Sequence, residues 1–254
     1  MNIRLQLACV YSLYVFIVVF MIGFVFLAGF VPPPSPAAGP DEIAEMFRAN
    51  TLGIRLGMLL CMLSAALLLP WGGAVTVQMK RIEGRFSPLT YSWFAAQGCI
   101  VIEFIYPSMF WAVAAFRPDS APELIRQFND LAWLPWLGII STGAFQAFAL
   151  GILTLLDKRP EPIYPRWFGY FQLSAGFLLI PADLIIFFKH GPLAWNGILG
   201  FWIPASTAFI WLIVTTVFTA EAIKRQAADA EVESAEDDIA RRLIILERRL
   251  AELS

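Results

Sequence analysis

Two carboxylates lie inside long apolar stretches of this sequence. Glu103 interrupts the apolar residues 100–105, and Asp183 follows Pro181 two residues later. A charge in the middle of a bilayer costs at least a few kcal/mol unless it is paired, protonated or hydrated, so we expect both side chains to face protein or water. Such carboxylates relay protons or anchor a cargo, but they also serve as hydrogen-bonding groups between helices. The sequence leaves both roles open.

Further polar residues accompany Glu103. Helical spacing places Tyr106 on the same side of its helix as Glu103, and Pro107 leaves a backbone carbonyl without its usual partner one turn earlier. In the next apolar stretch, Thr142 and Gln146 are one turn apart. We therefore expect a polar pocket around Glu103 to which Tyr106 and Gln146 contribute.

The apolar stretch that contains Asp183 carries a polar stripe. Counting by helical turns places Gln172, Gly176, Asp183 and His190 on one face. Arg55, near the same end of another stretch, is the expected cationic partner of Asp183. His190 is either a pH-sensitive interfacial group or an ordinary residue at a helix end.

Several chemistries lack the residues that they need. One histidine is too few for a membrane di-iron or haem-binding histidine cluster, and GxGxxG, GxxxxGKS, HExxH and GxSxG are absent from the sequence. Cys9, Cys61 and Cys99 lie in apolar stretches without a CxxC pair, which argues against zinc or a disulfide framework. We therefore expect no metal and no cofactor, and an enzyme is the minority hypothesis.

The composition determines which elements must position these groups. Of the 254 residues, 59% are hydrophobic and 15% charged, which is too apolar for a soluble domain. Six apolar runs are long enough to cross a bilayer, at roughly 20 residues each. They cover about 8–30, 53–78, 91–116, 132–156, 167–189 and 197–220. The predicted fold class is an all-α integral membrane protein with a bundle of six transmembrane helices, since open strands cannot satisfy their backbone in lipid.

Lysine and arginine beside the spans predict the orientation. Nine lie on the side that carries both termini, and five lie on the other side. By the positive-inside rule, both termini are cytoplasmic. The richer side has Arg4, Lys80, Arg81, Arg85, Lys158, Arg159, Arg166, Lys224 and Arg225, and the poorer side has Arg48, Arg55, Arg117, Arg126 and Lys189.

Two segments outside the spans predict short surface helices. Asp41–Phe47 begins after a proline and carries its acids in the first turn, and Pro122–Asp130 has the same character. Most of the nine tryptophans fall near predicted span boundaries, which is typical of an interfacial aromatic belt. The abundant phenylalanines either line a lipophilic cavity or pack between helices and lipid.

The chain divides into a transmembrane domain, residues 1–225, and a helical tail, residues 226–254. Apolar residues in the tail alternate at spacings of four and three, as in a coiled-coil seam. About two heptads suit either self-association of membrane-anchored chains or an amphipathic helix on the inner leaflet. The seam residues are Ile239, Leu243, Leu246, Leu250 and Leu253.

Three functions fit these features. The leading hypothesis is a transporter, channel or binding protein for a small or lipophilic molecule, with a buried carboxylate site. The second is an accessory or structural subunit of a membrane complex that assembles through its C-terminal helix, and the third is a lipid-modifying enzyme. The expected partners are membrane lipids and, through residues 236–254, either a second copy of the chain or a partner subunit. We expect no binding to nucleic acid. Compact loops without glycosylation sequons favour a bacterial inner membrane.

Overall fold

A computed structural model describes the backbone of residues 3–253 and the side chains of residues 3–228. Every regular element in this part of the chain is helical. The α-helices are α1 (Ile3–Met21), α2 (Pro40–Ala49), α3 (Thr51–Ala65), α4 (Leu68–Glu83), α5 (Pro88–Phe116), α6 (Pro122–Gly138), α7 (Ser141–Leu156), α8 (Arg166–Leu179) and α9 (Ile203–Leu253). Three helices continue in another helical geometry. A π-helical segment follows α1 (Ile22–Leu27), a 3₁₀ segment follows α8 (Ile180–Phe187), and a second π-helical segment precedes α9 (Ile198–Trp202).

Six helical segments are long and apolar enough to cross a membrane, which confirms the predicted six-helix class. In chain order, spans one to six are Ile3–Leu27, Thr51–Glu83, Pro88–Phe116, Pro122–Leu156, Arg166–Phe187 and Ile198–Ala228. Contacts at the end that carries the termini join elements distant in the sequence. There Gln78 donates to Gln226, and Arg225 donates to the carbonyl of Ile163.

Spans two and four are each interrupted near the middle. In span two, α3 ends at Ala65 and α4 begins at Leu68. Pro70 has no N–H to donate to the carbonyl of Ala66, which instead accepts a tighter bond from the N–H of Leu69. In span four, residues 139–140 separate α6 from α7. These breaks expose backbone groups inside the bundle, where side chains can reach them.

The two predicted surface helices have different outcomes. Helix α2 confirms the first, and it buries Ile43, Ala44 and Phe47 at the end opposite the termini. The second segment, residues 122–130, is helical as predicted but is not a separate surface helix, because it is the beginning of α6 and continues into span four. The apolar residues of that segment continue the helical pattern of the span without a stop.

The tryptophans form the core of the bundle, so the predicted interfacial belt is wrong. Only Trp167 and Trp202 are exposed, at 53% and 41%. An indole N–H needs an acceptor in lipid, and the bundle supplies acceptors in its interior. Trp111 and Trp133 both donate to Asn129 Oδ1, for example. The buried tryptophans are Trp71, Trp93, Trp111, Trp133, Trp136, Trp195 and Trp211.

Spans one and two approach through a pair of glycines. A Cβ added to Gly57 would lie 2.3 Å from the carbonyl oxygen of Gly23, and one added to Gly23 would lie 2.6 Å from that of Gly57. Small residues at such crossings let helix backbones meet in membranes. No side chain fits at this crossing unless the two helices move apart.

We therefore expect Gly57→Ala to lower the free energy of unfolding by about 1–3 kcal/mol, the usual cost of overpacking. Gly73→Ala is the matched control, because Gly73 lies in the same span and a Cβ there meets nothing within 4 Å. Thermal unfolding in detergent measures both variants. Equal melting temperatures for the two would contradict the close approach.

The loop between spans four and five is held by Asp157. Its carboxylate accepts two bonds of 2.9 Å from the Arg159 guanidinium and one of 3.0 Å from the N–H of Ile163. Burial alone would raise the pKa of Asp157, but the bonds from Arg159 and Ile163 outweigh it and lower that pKa. The ionised carboxylate is therefore the form that stabilises the loop.

This lowered pKa predicts a pH dependence. The stability that Asp157 contributes is fully present above the pKa of an unfolded aspartate, about 3.9, and is lost as pH falls through the lowered pKa. Asp157→Asn should therefore melt below the wild type at pH 7, and the gap should close toward pH 3. Melting curves of both proteins across this range test the prediction, and a gap that does not change with pH would contradict it.

Candidate functional site

An apolar groove runs between spans one and six at the end of the bundle opposite the termini. Its volume is about 370 Å³, within the range of small-molecule sites. Aromatic and aliphatic side chains form most of its wall, including Phe20, Phe24, Trp136, Phe201 and Phe209. A groove of this composition suits a lipophilic molecule.

Both helices that border the groove depart from α-geometry there. The N–H of Ala28 donates to the carbonyl of Gly23, and the N–H of Trp202 donates to the carbonyl of Gly197, which are five-residue steps. In span six, Pro204 supplies no N–H to Gly200, which favours a wider turn before it. Such π turns are frequent at functional sites. They widen both helices beside the groove.

Tilted aromatic rings in contact form the wall of the groove. The ring centroids of Phe24 and Trp136 are 4.6 Å apart, and those of Phe20 and Phe209 are 6.0 Å apart. The ring centroids of Trp136 and Phe201 are 6.4 Å apart. Aromatic pairs at these distances stabilise one another beyond their burial. The wall is therefore built from side chains of spans one, four and six that hold one another in place.

The groove adjoins a small recess that Glu103 lines. The recess has a volume of about 50 Å³, and Trp136, Ala205 and Phe209 line both spaces. Asp183 lies near enough to Glu103 for their charges to interact. The structure thus brings together the two carboxylates that the sequence singled out, beside an apolar surface. Carboxylate oxygens there can accept hydrogen bonds from a ligand hydroxyl or amine.

Asp183 does not pair with Arg55, so that prediction is wrong. The Asp183 carboxylate instead lies beside the backbone N–H of Ile140, at the break in span four. The exposed guanidinium of Arg55 lies over the ring of Phe116, 5.4 Å from its centroid. The helix break supplies a backbone donor that the sequence pattern did not reveal.

Tyr106 and His190 do not line the recess that contains Glu103. Tyr106 is 57% exposed, and His190 is exposed beyond the end of span five. The predicted stripe does not continue along one face, because α8 tightens into a 3₁₀ helix after Leu179 and the angle between successive residues changes. Neither residue contributes to the recess.

Gln146 and Gln172 lie in a separate polar network in the core. Gln146 Nε2 donates to Gln97 Oε1 at 2.9 Å and to the carbonyl of Trp93 at 3.1 Å. In turn, the indole of Trp93 donates to the carbonyl of Gln146 at 3.1 Å. These bonds join span three to span four, so Gln146 links two helices at this point.

Gln172 makes the equivalent link between spans five and six. Its Nε2 donates to Thr215 Oγ1 at 2.9 Å, and its Oε1 accepts from the indole of Trp211. Sequence reasoning missed Gln97, Trp93 and Trp211 as partners. A signal was present, because Gln97 follows Trp93 by one helical turn inside an apolar span.

The predicted seam of the tail lies outside the described side chains. Its residues are Ile239, Leu243, Leu246, Leu250 and Leu253. Helix α9 includes all five in its backbone range, Ile203–Leu253.

The fold and the site define a polytopic α-helical membrane protein with a lateral apolar groove beside a carboxylate recess. Part of the chain is similar to the cytochrome c-type biogenesis protein ccl1 of Rhodobacter capsulatus, with 27% identity over 147 residues. The match covers 52% of this chain and 22% of that protein, so the chain matches about a fifth of the relative's length. No protein-family model matches the chain. No solved structure matches it either.

The glutamine network yields a stability prediction. Gln146→Leu leaves Gln97 and Trp93 without a shared donor, and we expect a loss of about 0.6–2 kcal/mol, as for other interhelical hydrogen bonds in membranes. Gln127→Leu is the matched control, because Gln127 is exposed in the same span. Thermal unfolding in detergent compares them, and a Gln146→Leu protein as stable as the control would refute the structural role.

Proposed function

We propose that this protein binds a lipophilic molecule that carries a hydroxyl or amine group, within the membrane. The apolar body of the ligand lies in the groove between spans one and six. Its polar group points into the recess and donates a hydrogen bond to Glu103. Of the functions in the leading sequence hypothesis, binding at a buried carboxylate site is thus the one proposed, and the ligand class is added to it.

One observation carries the proposal: an apolar groove and a carboxylate recess share Trp136, Ala205 and Phe209 as wall residues. An apolar cavity with a few convergent polar groups is the usual form of a small-molecule site. A bilayer acyl chain would fill the groove without needing a carboxylate at its inner end. A ligand with a donor group at one end uses both features.

The remaining polar side chains of the core favour binding over passage through the bundle. Gln97, Gln146 and Gln172 hydrogen-bond to neighbouring helices, and bulky indoles surround them. The groove opens laterally, between two helices, which gives a lipophile access from the bilayer.

Photolabelling in membranes tests the site. The probes are a long-chain alcohol that carries a diazirine and the alkane with the same diazirine but no hydroxyl. We expect the alcohol to label groove peptides about ten-fold more strongly, because a hydroxyl donor left unpaired in an apolar groove costs about 1–3 kcal/mol. Glu103→Leu should remove this preference and leave alkane labelling unchanged.

A second variant tests the groove itself. Ala205→Phe fills the wall shared by the groove and the recess, and should reduce labelling by both probes. Ala95→Phe introduces the same side chain at an exposed position in span three and should have no effect. Labelling spread evenly over the lipid-facing surface, and equal in both variants, would overturn the proposal.

A second candidate function is that of an accessory subunit in cytochrome c biogenesis. The similarity to ccl1 favours it, since that protein is named for cytochrome c-type biogenesis. The many side chains that join helices also suit a scaffold. In this case residues 236–254 bind a partner subunit or a second copy of the chain.

Deleting the gene in its host separates this candidate from ligand binding alone. A subunit of this kind predicts a fall in the c-type cytochrome content of the membranes, which absorbance spectra measure. Chains truncated after residue 235 should reproduce the fall if the tail carries the contact. Normal cytochrome content in the deletion strain would exclude this candidate.

For either function, we propose that the protein lies in a bacterial inner membrane with both termini in the cytoplasm. The excess of lysine and arginine on the terminal side supports it, nine against five. Reporter domains fused after residue 225 and after residue 119 read out opposite sides of the membrane. The orientation is reversed if the first fusion reports the periplasm.

A further inference from the structure

A basic pocket lies at the end of the bundle that carries both termini, opposite the groove. Its volume is about 260 Å³. Three arginines and one glutamate line it, together with small and apolar residues of the loop and of span six. The charged residues are Arg81, Arg159, Arg225 and Glu161.

Each arginine comes from a different element. Arg81 is near the end of α4, Arg159 is in the loop after α7, and Arg225 is in the last turns of span six. All three positions are therefore at the boundary between the apolar spans and water. At this depth the phosphate groups of bilayer lipids meet the protein surface.

The guanidinium groups are held in fixed orientations. Arg225 Nη2 donates to the carbonyl of Ile163 at 2.7 Å, Arg81 Nη1 donates to Gln78 Oε1 at 2.7 Å, and Arg159 bonds to Asp157. An arginine has five N–H donors, so these bonds orient Arg159 and Arg225 without using every donor. Preoriented donors lower the entropy cost of binding an anion.

The buried hydroxyl of Tyr164 places two of these charges close together. Burial raises the pKa of Tyr164, and the positive charges of both Arg81 and Arg225 oppose that rise. Two guanidiniums at one location repel each other unless an anion balances them. Glu161 and Asp157, which pairs with Arg159, supply two negative charges against three positive ones, so the described side chains at the pocket leave an excess of one positive charge.

We propose that this pocket binds a phosphate group, and that the headgroup of an anionic phospholipid supplies it. Arginine donors match phosphate oxygens in planar, bidentate geometry. Basic pockets between transmembrane helices at the boundary are typical sites for anionic headgroups. The small walls of Ala222 and Ala228 leave room for the phosphodiester beside span six.

Native mass spectrometry of the full-length protein in detergent tests this, with phosphatidylglycerol and phosphatidylcholine as probes. We expect phosphatidylglycerol to be retained and phosphatidylcholine not. Arg225→Gln should weaken retention about five-fold, as for the loss of one basic residue near an anionic lipid. Lys224→Gln removes an exposed positive charge from the neighbouring position outside the pocket and should change retention little.

Glu161→Gln provides a test that a folding defect cannot imitate. Removing the negative charge of Glu161 from the pocket lining should strengthen phosphatidylglycerol retention. Arg81→Gln should weaken it even if Arg225→Gln fails to fold. Inorganic phosphate at millimolar concentration distinguishes the source. If phosphate displaces the lipid and stabilises the wild type but not Arg81→Gln, the natural ligand is a soluble phosphate compound. Equal retention of both lipids, unchanged in every variant, would overturn the proposal.

Discussion

Polar groups buried in a bilayer have no water to bond to, and this constraint organises the bundle. Gln97, Gln146 and Gln172 bond across helix interfaces in response. The indole of Trp93 donates to the backbone carbonyl of Gln146, and that of Trp211 donates to Gln172 Oε1. Because each bond has a defined geometry, these side chains fix which faces of spans three and four meet, and which faces of spans five and six meet. Spans one and two then pack closely through Gly23 and Gly57.

The packing of these helix faces determines which groups surround the two carboxylates, Glu103 and Asp183. Asp183 lies beside the backbone N–H of Ile140 at the break in span four. Glu103 lies at a recess that no basic side chain of the described residues closes with an ion pair. The π turns of spans one and six leave the groove beside it. A carboxylate, an apolar groove and lateral access from lipid therefore occur together at one place in the fold.

The sequence predicted the elements well, but not their faces. Hydropathy identified the six spans, and the proline and acidic residues of α2 predicted that helix. Hydropathy failed for the tryptophans, because both the lipid-facing and the buried sides of a transmembrane helix are apolar. Glu103 and Asp183 were recognised because a carboxylate is rare in an apolar run. His190 was misplaced because the 3₁₀ segment changes the angular relation between residues. Tyr106 lies in the same unbroken helix as Glu103 but on its exposed side, and Arg55 lies over the ring of Phe116.

The two ends of the bundle have different chemistry. The groove end is apolar with a carboxylate at depth, whereas the end with the termini carries a basic pocket at the boundary. Anionic headgroups at the basic pocket would anchor the bundle at a fixed depth in one leaflet. The groove would then be held at a constant level in the bilayer, within reach of molecules that move through it.

The most direct test is mass spectrometry of the lipophiles that copurify with the protein from its native membranes. The wild type and Ala95→Phe should carry about one equivalent of a molecule with a hydroxyl or amine group, and Ala205→Phe should lose it. If all three proteins carry only bulk membrane lipids, in the proportions of the membrane itself, the groove is not a ligand site.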